Sequence, residues 1–127
     1  MLKLFQNISE KNKEKILKLL EAHSMNFNKG VDVLSMITGK NNICLVDAGS
    51  IEIIKEDYDG TRSIIETIFE GEVFGSKMSL MDNAYYEIIA REEVTLITID
   101  YDRIIDLENV KYDYYIEFLK NLLYIMN

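Results

Sequence analysis

Apolar and polar positions along the chain change period twice, which divides it into three zones. In the first, Ile16, Leu17, Leu19, Leu20 and His23 fall on one broad stripe with the i, i+3, i+4, i+7 spacing of an amphipathic helix. Ser9 stands where an N-cap belongs, and Ile8 before it is placed as a hydrophobic staple. This helix is expected to end at His23, whose imidazole would favour the negative end of the dipole. The second zone runs from about Met25 to Asp100. Short stretches rich in Ile, Val, Thr and Tyr (Ile43 to Val46, Ile51 to Ile54, Ser63 to Phe69, Thr95 to Ile99) alternate with Gly, Asn and Asp turns. Strands so closely spaced predict a sandwich, roll or barrel, not βαβ units. Asp59-Gly60, between two apolar stretches, is the clearest hairpin signal.

The third zone returns to helix, with a short turn over Tyr101 to Asp106 and then an apolar stretch from Val110 to Met126. Tyr115, Leu119, Leu122 and Met126 keep 4-3-4 spacing, the seam of a coiled coil, and Phe118 lies beside it. Apolar residues cover more than one face of this helix, so it needs burial on two sides. A β-roll covers one side, and a second copy of the chain is the simplest cover for the other. The helix has no glycine cap before Asn127, which predicts a natural product that continues beyond it. The expected division is a sensing β-roll with its N-terminal helix over 1–108 and the start of a long dimerisation helix over 109–127.

Composition narrows the chemistry. The 127 residues suit one domain, and 48% hydrophobic residues can fill one core. A net charge of −8 repels phosphate backbones and anionic membranes. A single cysteine, Cys44, excludes a disulfide framework and a cysteine-based zinc or iron–sulfur site; placed mid-strand, it reads as a small core residue. A single histidine, His23, excludes a multi-histidine metal centre of the cupin type and makes a Ser-His-Asp triad improbable. No nucleophile stands in register with a base, so the chain reads as a non-enzyme with no resident cofactor. A lone cysteine, with neither an export signal nor a membrane-length apolar stretch, predicts a cytoplasmic protein.

Several motifs then fall in a familiar order. Leu4-Phe5-Gln6-Asn7-Ile8-Ser9 resembles the opening of cyclic-nucleotide-binding domains, and Lys29-Gly30 their first strand turn. Asp47-Ala48-Gly49-Ser50-Ile51-Glu52-Ile53 resembles their Gly-x-Val-x-Val turn, and Asp57-Tyr58-Asp59-Gly60 their hairpin. Gly71-Glu72-Val73-Phe74-Gly75 resembles the Gly-x-x-Phe-Gly lead-in to their phosphate-binding cassette. The resemblance spans nearly the whole chain and points to the effector domain of a Crp/Fnr-type bacterial transcription regulator. It implies a mainly β fold with flanking helices: a double-stranded, jelly-roll-like β-helix followed by a dimerisation helix. It also implies a homodimer, a small-molecule effector, no membrane, and DNA contact only through a helix-turn-helix domain that this chain lacks.

The cassette itself departs from that pattern. Nucleotide-binding members follow Phe-Gly with a Glu for the ribose hydroxyl, and further on an Arg followed by Ser or Thr for the cyclic phosphate. Here the Glu position falls on Ser76 or Lys77, and the Arg position on Tyr85-Tyr86-Glu87. The three arginines of the chain, Arg62, Arg91 and Arg103, lie elsewhere. Losing both charge-assisted contacts is expected to weaken nucleotide binding by about two to four powers of ten. A Glu87 beside the phosphate would weaken it further. The candidate ligand residues are therefore Gly75, Ser76, Lys77, Met78, Ser79, Tyr85, Tyr86 and Glu87: a partly apolar wall with a few groups able to fix one polar or anionic substituent. Two alternatives remain open: a ligand-free domain of the same fold that only dimerises, and a cyclic-nucleotide module with a divergent cassette.

Overall fold

In the computed structural model, residues 3–34, 42–75 and 85–126 are described. The elements follow the order α1 (Glu10–Leu19), β1 (His23–Phe27), β2 (Asn42–Ala48), β3 (Ile51–Glu56), β4 (Arg62–Ile68), β5 (Val73–Phe74), β6 (Tyr85–Ala90), β7 (Val94–Asp100), α2 (Tyr101–Ile104) and α3 (Asp113–Met126). A 3₁₀ turn over Leu107–Lys111 separates α2 from α3. The strands form two antiparallel sheets, ordered β1-β7-β2-β5 and β4-β3-β6. The architecture is mainly β with flanking helices: antiparallel sheets of a roll, one of the outcomes the strand spacing predicts, in the jelly-roll-like arrangement that the resemblance implies.

The two ends of α1 show how local sequence sets an element. Ser9 caps it as expected, its hydroxyl accepting from the Asn12 N–H at 3.1 Å. The helix stops before His23, which instead opens β1 on an exposed position. Glu21 adopts a left-handed φ of 49° and closes the helix. The Ala22 N–H reaches the Leu17 carbonyl at 3.0 Å, and the Glu21 N–H that of Lys18 at 3.1 Å, the two bonds of a Schellman ending. At the other end of the chain, Tyr101 to Ile104 is helical, shorter than the expected turn to Asp106. The long helix likewise begins at Asp113 and not at Val110, because the 3₁₀ turn comes first.

Two cores lie on opposite faces of the β1-β7-β2-β5 sheet. Ile43 and Leu45 of β2, with Ile97 and Ile99 of β7, face a cluster completed by Leu4, Ile16, Leu20, Tyr115, Phe118 and Leu122. Cys44 and Val46, with Leu96, face the other sheet and meet Ile51, Ile53, Phe74 and Ile88. β2 is thus covered on both faces. That is why it reads as an unbroken apolar stretch and not as an alternation. β4, an edge strand, behaves oppositely: a register shift between Ile53 and Ile54 leaves Ile65 as the extra residue of a bulge, and Ile64 and Ile65 are exposed. The hairpin at Asp59-Gly60 forms as its dipeptide predicts. Gly60 takes φ 86°, and Thr61 holds the Asp59 carboxyl below its ordinary range, chiefly through its side-chain hydrogen bond and then through its N–H, which the carboxylate accepts at 2.9 Å.

Burial pushes the Cys44 thiol from 9.0 up to about 12. The folded chain keeps this proton while the unfolded chain begins to lose it near pH 9. Stability is therefore expected to be insensitive to this group below that pH and to fall as pH rises from about 9 towards 12. Urea midpoints followed by circular dichroism from pH 7 to 11 should decline, and more gently in Cys44→Ala; equal slopes in the two proteins would show that Cys44 is not responsible. A thiol reagent at pH 8 should label Cys44 only in urea.

Candidate effector site and C-terminal helix

The described part of the candidate cassette starts at Gly75. This residue has φ +104°, and an added Cβ would stand 3.3 Å from the Asn42 carbonyl oxygen and 3.7 Å from the Cys44 nitrogen. The chain passes so close to β2 that only glycine fits comfortably, a requirement that needs no ligand. Ser76, Lys77, Met78 and Ser79 lie outside the described residues. Tyr85 opens β6, its backbone paired with Glu56 of β3.

Strand alternation sends Tyr86 and Glu87 to opposite faces of β6. Tyr86 is half-buried and packs against the inner core between the sheets. Glu87 takes the other face, where its carboxylate pairs with the Arg62 guanidinium at 2.6 Å. The stretch that matches the family's phosphate-holding Arg thus turns an aromatic ring inward, and the nearby arginine is engaged on the outer surface. Arg91 pairs with Glu52 at 3.0 Å, and Arg103 pairs with Glu21.

α3 divides its apolar residues between two faces. Tyr115, Phe118 and Leu122 are buried in the chain's own core; the Phe118 ring stacks on Tyr115 at 5.4 Å and on Phe5 at 5.5 Å. The Tyr115 hydroxyl donates to the Ile104 carbonyl at 2.6 Å, and burial raises its pKa above the ordinary phenol value. Leu119 is half-buried against the same cluster, and Met126 is exposed. Leu123 and Tyr124 are 68% and 72% exposed. The outer stripe is Ile116, Leu119, Leu123 and Met126, again with heptad spacing, but rotated from the expected seam towards residues the roll does not bury.

Sequence reading passed over Asn121. It is buried on the inner side of α3, and its amide donates to the carbonyls of Leu4 at 2.9 Å and Gln6 at 2.8 Å. The available signal was a polar residue inside the apolar stretch, one turn from Phe118 and beside Leu122. Two open clefts flank the N-terminal segment. One of about 400 Å³ is lined by Phe5, Lys13 and Asp47 among others, with Lys13 and Asp47 paired at 2.6 Å. The other, of about 520 Å³, lies among Ser50, Phe69, Glu72 and Arg91. No group of metal-ligating side chains occurs among the described residues. None of the described helices is long and apolar enough to cross a membrane.

The family model described as "Cyclic nucleotide-binding domain" matches residues 24–109. The chain belongs to the cyclic nucleotide-binding domain family. That match runs from β1 to the 3₁₀ turn, so it covers the whole β-roll and stops short of α3. No curated protein matches the chain. Among solved structures, it is similar to the N-terminal domain of a transcriptional regulator from Streptomyces coelicolor A3(2), with TM-score 0.66 and 15% identity over 97% of this chain and 85% of that one. It is similar to Thermus thermophilus catabolite activator protein, with TM-score 0.62 and 19% identity over 94% of this chain and 55% of that one. It is also similar to oxidised CprK in complex with o-chlorophenolacetic acid, with TM-score 0.59 and 17% identity over 87% of this chain and 46% of that one. The chain thus spans about half the length of the latter two. At these identities the likeness is one of fold, and it extends past the family-model match into α3.

Proposed function

We propose that this chain is the effector-sensing and dimerising part of a Crp/Fnr-type transcription regulator, and that its effector is not a cyclic nucleotide held in the familiar way. The observation that carries this reading is the placement of Tyr86 and Glu87. The stretch that should present a phosphate-binding arginine presents a tyrosine ring inward and an ion pair outward. A partly apolar effector with one polar or anionic group suits such a wall. Ser76, Lys77 and Ser79 are the residues proposed to fix that group, with Met78 and Tyr85 completing the wall. The structure of CprK in complex with o-chlorophenolacetic acid supports the idea that this fold accepts ligands other than nucleotides. DNA contact, on this reading, belongs to a helix-turn-helix domain beyond residue 127, as the 55% coverage of the catabolite activator protein supports.

Calorimetric titration with cyclic AMP and cyclic GMP tests the effector reading. Dissociation constants about two to four powers of ten weaker than the micromolar range are expected, from the loss of two charge-assisted contacts. Micromolar binding of either nucleotide would overturn it.

Dimerisation is proposed to use the outer stripe of α3, with Leu119 and Met126 shared between the expected seam and the exposed one. Tyr115, Phe118 and Leu122 support the stripe from beneath. Sedimentation should give a dimer for the chain and a monomer for Leu123→Glu with unchanged circular dichroism. A monomer at 100 μM, or a dimer that survives Leu123→Glu, would count against the helix as the interface.

A further inference from the structure

The N-terminal segment joins two parts of the molecule that do not otherwise share a hydrogen bond among those described. On one side, the Asn121 amide of α3 holds the carbonyls of Leu4 and Gln6. On the other, the Leu4 N–H donates to the Gly71 carbonyl at 3.0 Å. Gly71 is the turn between β4 and β5, with φ +88°, and Lys3 lies so close above it that an added Cβ would stand 2.7 Å from the Lys3 Cδ. The turn is itself locked to β2: the Gly71 N–H donates to the Val46 carbonyl at 2.7 Å, and the Val46 N–H to the Glu72 carbonyl at 3.0 Å. Two residues further on begins β5, whose Val73 and Phe74 lead directly to Gly75. Leu4 is fully buried, so the segment is part of the core and not a surface strap.

A buried amide donating to two backbone carbonyls fixes a position more sharply than apolar packing alone. A ring can slide against a ring, whereas a displaced Asn121 leaves a buried donor and two acceptors unmet. A shift of α3 at residue 121 must therefore carry Leu4 with it, and Leu4 must then strain or release Gly71. We propose that Asn121, acting through Leu4, is a positioning residue that couples the placement of α3 to the β4–β5 turn and so to the lead-in of the candidate cassette. This deepens the sensing role proposed above, on which its biological use rests. The physical coupling stands without that role.

Amide hydrogen exchange on the 127-residue chain tests it. In Asn121→Ala, exchange at the Leu4, Val46 and Gly71 amides should rise about tenfold or more, although Val46 and Gly71 make no hydrogen bond to Asn121. Ile53→Val, which trims the inner core by one methylene, should leave these three amides unchanged relative to the rest of β2. A rise confined to Leu4 and its neighbours, or an equal rise across β1, β2 and β7, would overturn the coupling. If Asn121→Ala fails to fold, exchange of the unmutated chain in increasing urea decides the matter: the Leu4 and Gly71 amides should open together with those of α3 near residue 121 as one unit. Separate opening would overturn it. None of these readouts involves a nucleotide, so tight cyclic AMP binding would remove the effector reading and leave this result intact.

Discussion

Phe118→Ala is expected to cost about 3–5 kcal/mol, a large share of the roughly 5–15 kcal/mol that holds a domain folded. The ring is fully buried and stacks on both Phe5 and Tyr115, so its removal opens a cavity where the N-terminal segment, α3 and the β-roll meet. Leu123→Ala, five residues further along the same helix, should change the stability of a single copy by no more than about 0.5 kcal/mol, because that side chain is 68% exposed. The comparison separates the two faces of α3. Urea unfolding followed by circular dichroism measures both, since the chain has no tryptophan to report by fluorescence. It should be run dilute enough that association does not contribute. A loss below about 1 kcal/mol for Phe118→Ala would mean that α3 does not pack on its own roll.

Gly49→Ala is expected to be nearly as damaging, at about 2–5 kcal/mol, and far worse than the same change at Gly60. Both glycines adopt left-handed backbone, with φ +83° and +86°, so both substitutions incur the steric cost of a Cβ there, about 1–2 kcal/mol. The surroundings decide the rest. A Cβ at Gly49 would stand 2.4 Å from the Glu93 carbonyl oxygen and 3.1 Å from the Val94 Cα, backbone that cannot swing aside, whereas a Cβ at Gly60 meets nothing within 4 Å. Thermal unfolding of the two variants should rank Gly49→Ala well below Gly60→Ala. Equal losses would show that the turn between β2 and β3 can move away from residues 93 and 94.

What could be read in advance was local. Ser9 as a cap, Asp59-Gly60 as a turn and Ile43 to Val46 as a buried strand each follow from a few adjacent residues, and the fold repeats them. The end of α1 was hidden because Glu21, not a glycine, takes the left-handed position. The apolar stretch of α3 was legible as helix but not as to which side its own core would claim. Tyr115 and Leu122 lie on the core side by less than one turn's rotation, and an apolar surface that wide fits several registers. Asn121 was passed over because its worth depends on two carbonyls more than a hundred residues away in sequence. Glu87 was placed beside a ligand by counting from a motif. The pleat of β6, which sets it outward against Arg62, depends on where that strand begins.

The clasp on Leu4 also bears on how the chain folds as it is made. Leu4 leaves the ribosome more than a hundred residues before Asn121, the residue whose amide holds its carbonyl. Until then its side chain and the inner faces of Ile43, Leu45 and Ile97 lack the Phe118 and Leu122 that cover them. The nascent roll must wait with a greasy flank uncovered, and delay in synthesis after β7 is when the growing chain is most open to chaperone capture or clumping.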